Sequence, residues 1–176
     1  MNVPSSPAAA RPTRLAHVPE RLRGVAPWFS LAARLVLAGV FAVAGWPKLT
    51  DPEGTVRSVR AFRLLPEAVA PAFGYALPAV ELALAALLLV GLVTRVAAAG
   101  VAVLLVMFMV GIGAAWARGL SIDCGCFGAT GAAVTDPVRG YVLDLLRDAG
   151  LLVLACWLVA RPRSRLSLDA RLGLTP

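Results

Sequence analysis

The sequence is short of charge. Only 15% of its 176 residues are Asp, Glu, Lys or Arg, whereas roughly a quarter are charged in an ordinary soluble protein. Histidine occurs once, as His17, and cysteine three times, while hydrophobic residues make up 59%. The shortage of charge argues against a soluble domain, and one histidine leaves a Cys/His metal centre short of ligands.

Four long apolar runs account for the hydrophobic excess. Each has close to the roughly 20 residues that a helix needs to cross a bilayer core about 30 Å thick. The runs cover residues 28–46, 71–92, 96–116 and 140–160. Four buried helices of a soluble protein are the alternative, but the third run contains no charged residue. The runs therefore predict an all-α membrane protein, built as an up-down-up-down bundle of four transmembrane helices.

Two basic tails flank the predicted membrane domain of residues 27–160. Residues 1–26, rich in Pro, Ala and Arg, predict a mobile tail, and residues 161–176 form the second tail. Four crossings return the chain to its starting face, so both tails are expected on one side.

The distribution of Lys and Arg predicts which side that is, because cytoplasmic segments of membrane proteins are enriched in these residues. The side of the termini holds the larger group: Arg11, Arg14, Arg21, Arg23, Arg95, Arg161, Arg163, Arg165 and Arg171. The other side holds Lys48, Arg57, Arg60, Arg63, Arg118 and Arg139. The chain is thus predicted to lie in the inner membrane with cytoplasmic termini. Its net charge of +7 is interpreted as topology and attraction to anionic lipid, and nucleic-acid binding is not expected.

The first outer loop, residues 47–70, has its own pattern. Val56, Val59, Phe62 and Leu65 recur every three residues, and Arg57, Arg60 and Arg63 lie beside them. This pattern predicts a short amphipathic helix in the lipid headgroup layer. The alternative is that the helix walls a pocket over the next outer loop or meets an acidic partner.

That next loop carries the motif SIDCGCFGATG, residues 121–131. Cys124 and Cys126 lie one residue apart, on the side where thiols meet an oxidising environment. A structural disulfide would contribute little, since closing so small a loop stabilises by only about 1.5 kcal/mol, against roughly 3 for a 15-residue loop. A metal site would need ligands from another chain, because His17 is predicted on the opposite side. A strained, accessible redox pair is the third reading.

The neighbours of the pair bear on its reactivity. Gly125 permits the unusual backbone angles that a tight ring requires. Arg118 and Lys48 would lower a thiol pKa, whereas Asp123 would oppose them, so the attacking sulfur stays open. Cys156, roughly 24 Å along the fourth helix from its start, is expected to be a buried packing residue.

Several charges fall inside the apolar runs. Glu81 and Arg34 are expected at comparable depth, and Asp144, Arg147 and Asp148 share one face of the fourth helix. A charge at the bilayer centre costs at least roughly 2.5–3.5 kcal/mol, so these groups should face inward and pair. One interpretation is a salt-bridge network that holds the four helices together. The other is a proton or quinone site beneath the cysteines, formed by Glu81 and Arg147.

Three stretches between residues 30 and 160 resemble the MauE family, membrane proteins of methylamine utilisation related to the DoxX-like group. They are AGWPKL with Gly45 and Lys48, LPAVELALAALLLVG with Glu81, and DCGCFG at residues 123–128. The resemblance implies disulfide formation or redox maturation of exported proteins, beside a thioredoxin-like partner. In the family that role was proposed for the disulfide-rich light subunit of methylamine dehydrogenase. Cys124 and Cys126 would be the redox pair.

Better-known membrane disulfide enzymes use two cysteine pairs, and this chain has one. A partner supplies the second pair, or the CGC motif meets a quinone directly, or the chain is no enzyme alone. The leading hypothesis is a membrane thiol–disulfide redox protein. Its rival is a non-catalytic DoxX-like scaffold that docks or stabilises a redox complex.

Overall fold

The computed structural model describes residues 20–122, 136–162, 164 and 167–171, and every element in those ranges is an α-helix. The four long helices are α1 (Glu20–Thr50), α3 (Ala70–Val90), α4 (Thr94–Ala117) and α5 (Pro137–Ala160). The two short ones are α2 (Pro52–Ala61) and α6 (Leu168–Arg171). The prediction of an all-α protein is confirmed.

Three of the long helices have the length and apolar composition needed to cross a membrane: Val25–Thr50 within α1, and the whole of α3 and α4. This finding fits a multi-pass membrane protein. α5 matches α4 in length, at 24 residues, but it contains Asp144, Arg147 and Asp148. A fourth crossing by α5 therefore stays a prediction.

The four long helices contact one another in a ring, α1 with α3, α3 with α4, α4 with α5, and α5 with α1. Their inward faces form the largest apolar cluster of the described residues, with these side chains almost or wholly buried: Leu37, Phe41, Leu88, Val101, Leu105 and Leu158. Large apolar side chains also lie on the outer faces, among them Val43, Val96, Val103 and Val153. An apolar exterior of this kind suits contact with lipid.

The helix ends follow from local sequence. Asp51 precedes α2 and accepts a hydrogen bond from the Gly54 N–H at 2.8 Å, and Asp136 accepts one from the Arg139 N–H at 3.2 Å at the start of α5. A proline follows each aspartate, in the first turn where its missing N–H costs nothing. α3 ends at Val90, and the next residue, Gly91, has a left-handed φ of +71°, which favours glycine.

α2 lies directly against α3. Val56 packs on Gly74, where an added Cβ would come within 2.8 Å of the Val56 side chain. The bare glycine therefore permits this close approach. The apolar face of α2 is thus used inside the protein, and a position in the headgroup layer stays a prediction.

The expectation that Cys156 is buried in the bundle is wrong, because its side chain is exposed. α5 turns Leu151, Ala155 and Leu158 inward, at the spacing of one helical face. Cys156 follows Ala155 by one residue, about 100° around the helix, and therefore points outward.

The segment after α5 was expected only as a basic tail, but its described part packs on the helices. Ser164, Ser167 and Asp169 are all buried. Both carboxylate oxygens of Asp169 accept hydrogen bonds from the first turn of α4, from Val93 N–H at 2.7 Å and Thr94 N–H at 2.8 Å. The segment thereby satisfies backbone donors that a helix start leaves open.

Candidate functional site

A buried ion pair links α1 to α3. The Lys48 ammonium donates to Glu81 Oε1 at 2.6 Å, and the two side chains are only 2% and 1% exposed. The apolar run predicted to end at residue 46 continues as helix through Pro47 to Thr50, and this extension carries Lys48 inward. Isolated charges at such a site would be strongly destabilising, so each requires the other.

Phe108 on α4 forms the wall beside this pair. The Lys48 Nζ lies 5.4 Å from the centroid of the Phe108 ring, within the range of a cation–π contact. Phe108 lines two cavities, one towards α5 and one towards α2. The ring therefore separates two spaces that differ in size and lining.

The cavity towards α5 is small and polar at one end. Arg147 bonds Asp144 at 2.7 Å and Asp148 at 2.9 Å, the contacts that their spacing along one helix predicts. Among the described residues, Glu81 Oε2 and Asp148 Oδ2 are buried without a hydrogen-bond partner. Both residues line this space, which measures about 20 Å³.

That volume decides what the space can hold. A single water needs roughly 10–15 Å³ on the same measure, so about 20 Å³ has room for one water. A space of this size is too small for a quinone ring, and the use of Glu81 and Arg147 as a proton site stays a prediction.

The cavity towards α2 is larger, about 170 Å³. Its walls come from the end of α1, from α2 and the segment after it, and from α3 and α4. Its lining residues are Lys48, Thr55, Ser58, Val59, Phe62, Leu64, Leu65, Phe73, Leu77, Met107, Phe108, Gly111 and Ile112. The apolar positions predicted for the amphipathic helix thus supply part of a cavity wall.

Arg118 braces the segment after α2 against the end of α4. Its guanidinium donates to the backbone carbonyl of Arg63 at 3.2 Å and to that of Phe62, while its Nε donates to Ala114 O at 2.9 Å. Arg63 has a φ of +50°, so this turn is held in an uncommon conformation. Arg118 is therefore engaged with backbone, and its predicted effect on a thiol stays a prediction.

Tyr141 anchors the chain just before the cysteine motif. Its hydroxyl donates to Leu120 O at 2.7 Å and accepts from the Ile122 N–H at 3.2 Å. Tyr141 is buried with Ile112 and Ala115 in a second apolar cluster. Cys124, Gly125 and Cys126 lie outside the described residues.

Arg34 does not join Glu81, and its expected position at comparable depth is wrong. It is buried and donates to Ser164 Oγ at 2.8 Å, with its guanidinium beside Gly91 at the far end of α3. Arg34 precedes Lys48 by 14 residues, about 21 Å along a helix. Of the charges predicted to form one network, Arg34 thus lies apart, whereas Glu81, Arg147 and Asp148 line one space.

Sequence reasoning missed three contacts. The pairing of Lys48 with Glu81 joins residues far apart in the chain, and no local spacing indicates it. Phe108 sits in an uncharged apolar run, and Asp169 in a tail. The one available signal was the expectation that Glu81 pairs inside the protein, but Lys48 was considered only as a charge near the cysteines.

Comparison with known proteins gives one family. The model of the family described as "Methylamine utilisation protein MauE" matches residues 26–161. The MauE protein of Paracoccus denitrificans is 36% identical over 104 residues, 58% of this chain and 56% of the relative. That of Paracoccus versutus is 42% identical over 102 residues, 57% and 55% of the two chains.

The MauE protein of Methylorubrum extorquens is 41% identical over 99 residues, 53% of this chain and 51% of the relative. The chain thus spans about half the length of the curated relatives it matches. No solved structure matches it.

Proposed function

Because the chain belongs to the MauE family, we propose that it is an integral membrane thiol–disulfide redox protein. Its CGC motif, Cys124 to Cys126, exchanges disulfides with a thioredoxin-like partner outside the cytoplasm. Through that exchange it supports disulfide formation in, or maturation of, exported proteins. The names of its relatives suggest methylamine utilisation as the pathway.

The observation that supports this proposal best is the anchoring of the chain beside the motif. Ile122 is held by Tyr141, which is fixed in the apolar cluster of α4 and α5, and α5 restarts at the Asp136 cap. Cys124 is the second residue after Ile122, at most about 7 Å along an extended chain. The described chain on both sides of the motif is thus held by contacts with α5, which supports a site positioned by the helices.

The proposed topology has four crossings, with both termini in the cytoplasm and the motif outside. Three helices already meet the requirements of length and composition. For α5, Arg147 bonds both neighbouring aspartates within its own helix, which lowers the cost of carrying these charges across lipid. Glu81 and Arg147 remain the proposed proton site.

Serine substitution of the cysteines tests the proposal. Cys124→Ser and Cys126→Ser should each abolish the protein's contribution to disulfide formation in exported substrates, because the exchange needs both sulfurs. One variant should also trap the partner as a mixed disulfide, which mass spectrometry identifies. Cys156→Ser is the matched control and should behave as the parent protein, since Cys156 is a lone thiol on the outer face of α5.

The variant with both Cys124→Ser and Cys126→Ser provides the decisive result. A normal rate of disulfide formation with it would refute the redox proposal and favour the non-catalytic scaffold. Topology is tested separately in the Cys156→Ser background. After reduction, a membrane-impermeant thiol reagent should label Cys124 and Cys126 in intact cells. Labelling only after the cytoplasm is opened would refute the proposed orientation.

A further inference from the structure

The larger cavity has the size of one six-membered ring. Its volume is about 170 Å³, and an apolar cavity of about 150 Å³ in another protein takes up benzene. The side chains of Phe62, Phe73 and Phe108 line it, and aromatic faces pack well against a flat ring. A planar ring therefore fits this space.

The cavity also reaches the surface of the protein beside two leucines. Leu64 and Leu65 line it and are 48% and 39% exposed. A ring inside the cavity would leave a hydrocarbon substituent running out past these leucines. This arrangement suits a molecule that dissolves in the bilayer, because the route in and out is apolar.

One strong donor faces the ring space. Lys48 lines the cavity, and its ammonium has three N–H groups. One of them is donated to Glu81, and the ammonium also lies 5.4 Å from the centroid of the Phe108 ring in the cavity wall. The remaining donors are buried with the residue, which is 2% exposed. Buried donors are costly unless they find an acceptor, so the ligand should present an oxygen at this wall.

The charge balance selects the kind of oxygen. Glu81 already neutralises Lys48 at 2.6 Å, so a ligand carboxylate or phosphate would add an uncompensated buried negative charge. A neutral carbonyl oxygen accepts the hydrogen bond without that penalty. This argument disfavours a fatty acid and favours a ring ketone.

We propose that this cavity binds the headgroup of a membrane-soluble quinone, with Lys48 donating to a ring carbonyl oxygen. The site is distinct from the space shared by Glu81 and Arg147, which has room for one water. The proposal deepens the proposed function and rests on it for its biological purpose. Oxidation of a dithiol to a disulfide releases two electrons and two protons, which reduction of a quinone to a quinol consumes.

Photolabelling of the full-length protein in detergent tests the site. The probe is an azidoquinone with a decyl tail, and labelled peptides are mapped by mass spectrometry. Labelling should fall on the segments that contain Phe62–Leu65 and Met107–Ile112, which line the cavity. Excess decylubiquinone should abolish it and excess oleic acid should not. Equal competition by oleic acid, or labelling elsewhere, would overturn the proposal.

A pair of α4 variants provides the matched control. In Gly111→Leu the new side chain projects towards Phe62 and Leu64, whose nearest atoms lie 3.8 and 3.9 Å from the added Cβ, and it fills the cavity. Labelling should drop about tenfold, as expected when a bound ring is displaced. In Gly113→Leu the Cβ meets nothing within 4 Å, so labelling should stay at the parent level. Equal labelling of the two variants would refute the site.

Removing the donor tests the role of Lys48. The double variant Lys48→Met with Glu81→Leu deletes both charges and keeps the volume similar. Decylubiquinone should then compete no better than decylbenzene, whereas in the parent protein it should compete at least about tenfold better. An unchanged preference in the double variant would show that Lys48 does not select the carbonyl.

The cysteine variants separate this inference from the proposed function. Quinone labelling should persist in the double Cys124→Ser, Cys126→Ser protein, because no step of binding uses those sulfurs. If labelling is lost from Gly111→Leu but disulfide formation never depended on the cysteines, the quinone site stands and the redox proposal fails. If disulfide formation depends on the cysteines but Gly111→Leu is labelled like the parent protein, the redox proposal stands and only the quinone site fails.

Discussion

α1 buries two cations, and the contrast between them separates an end of the bundle that has a cavity from an end that is filled. Lys48 and Arg34 are each 2% exposed. Lys48 bonds a carboxylate and lines a cavity. Arg34 instead donates to Ser164 at 2.8 Å, beside Gly91 and the backbone of Ser167.

The difference lies in what surrounds each charge. At the Arg34 end, the segment after α5 folds back and fills the space with serine hydroxyls and the Asp169 cap. At the Lys48 end, α2 lies across the opening, and its small and apolar side chains leave room. Burial of a charge alone therefore does not indicate a ligand-binding site. A cavity beside the buried charge is the feature that indicates one.

The largest effect is expected from breaking the ion pair on one side. Lys48→Met leaves Glu81 buried and unpaired and should reduce the free energy of unfolding by about 3–5 kcal/mol. The double variant with Glu81→Leu should be close to the parent protein, since both charges are gone. Reversible unfolding in mixed micelles with increasing SDS measures both. A double variant as unstable as the single one would show that the pair itself, and not the orphaned charge, stabilises the fold.

A smaller effect is expected at the Arg34 end from Gly91→Ala. The left-handed φ of +71° disfavours any side chain, and the new Cβ would lie 2.2 Å from the Arg34 guanidinium. The expected loss is about 2–3 kcal/mol of unfolding free energy by the same method. Gly113→Ala is the control, because its Cβ meets nothing within 4 Å. Similar losses in both variants would contradict the tight packing around Arg34.

The smallest effect is expected from the helix cap. Asp169→Ala removes both acceptors for the N–H groups of Val93 and Thr94 and should cost about 1–2 kcal/mol. Asp169→Asn keeps one acceptor and should cost less. If both variants are equally destabilised, the charge of Asp169 matters more than its hydrogen bonds.

The sequence was sufficient to predict three helices long and apolar enough to span a membrane and to place the charges of α5 on one face. Hydrophobic run length is a local property set by bilayer thickness, and the contacts of Arg147 with Asp144 and Asp148 follow from helical spacing. The residues whose positions were predicted wrongly are those that contact parts of the protein distant in the sequence. Cys156 was expected to be buried because its helix is, but the direction of a side chain depends on which face meets the bundle.

The sequence by itself determined that the chain is helical and apolar enough for a membrane, and that its two neighbouring thiols are a distinctive chemical feature. Only the tertiary structure decided that Lys48 meets Glu81, that Phe108 divides the space beside them, and that the segment after α5 covers Arg34. The physical reason is the separation along the chain of the residues involved. Hydropathy and helix periodicity depend on residues within one helical turn or one membrane-spanning segment. Ion pairs, cavities and caps instead join residues that only the packing of helices brings together.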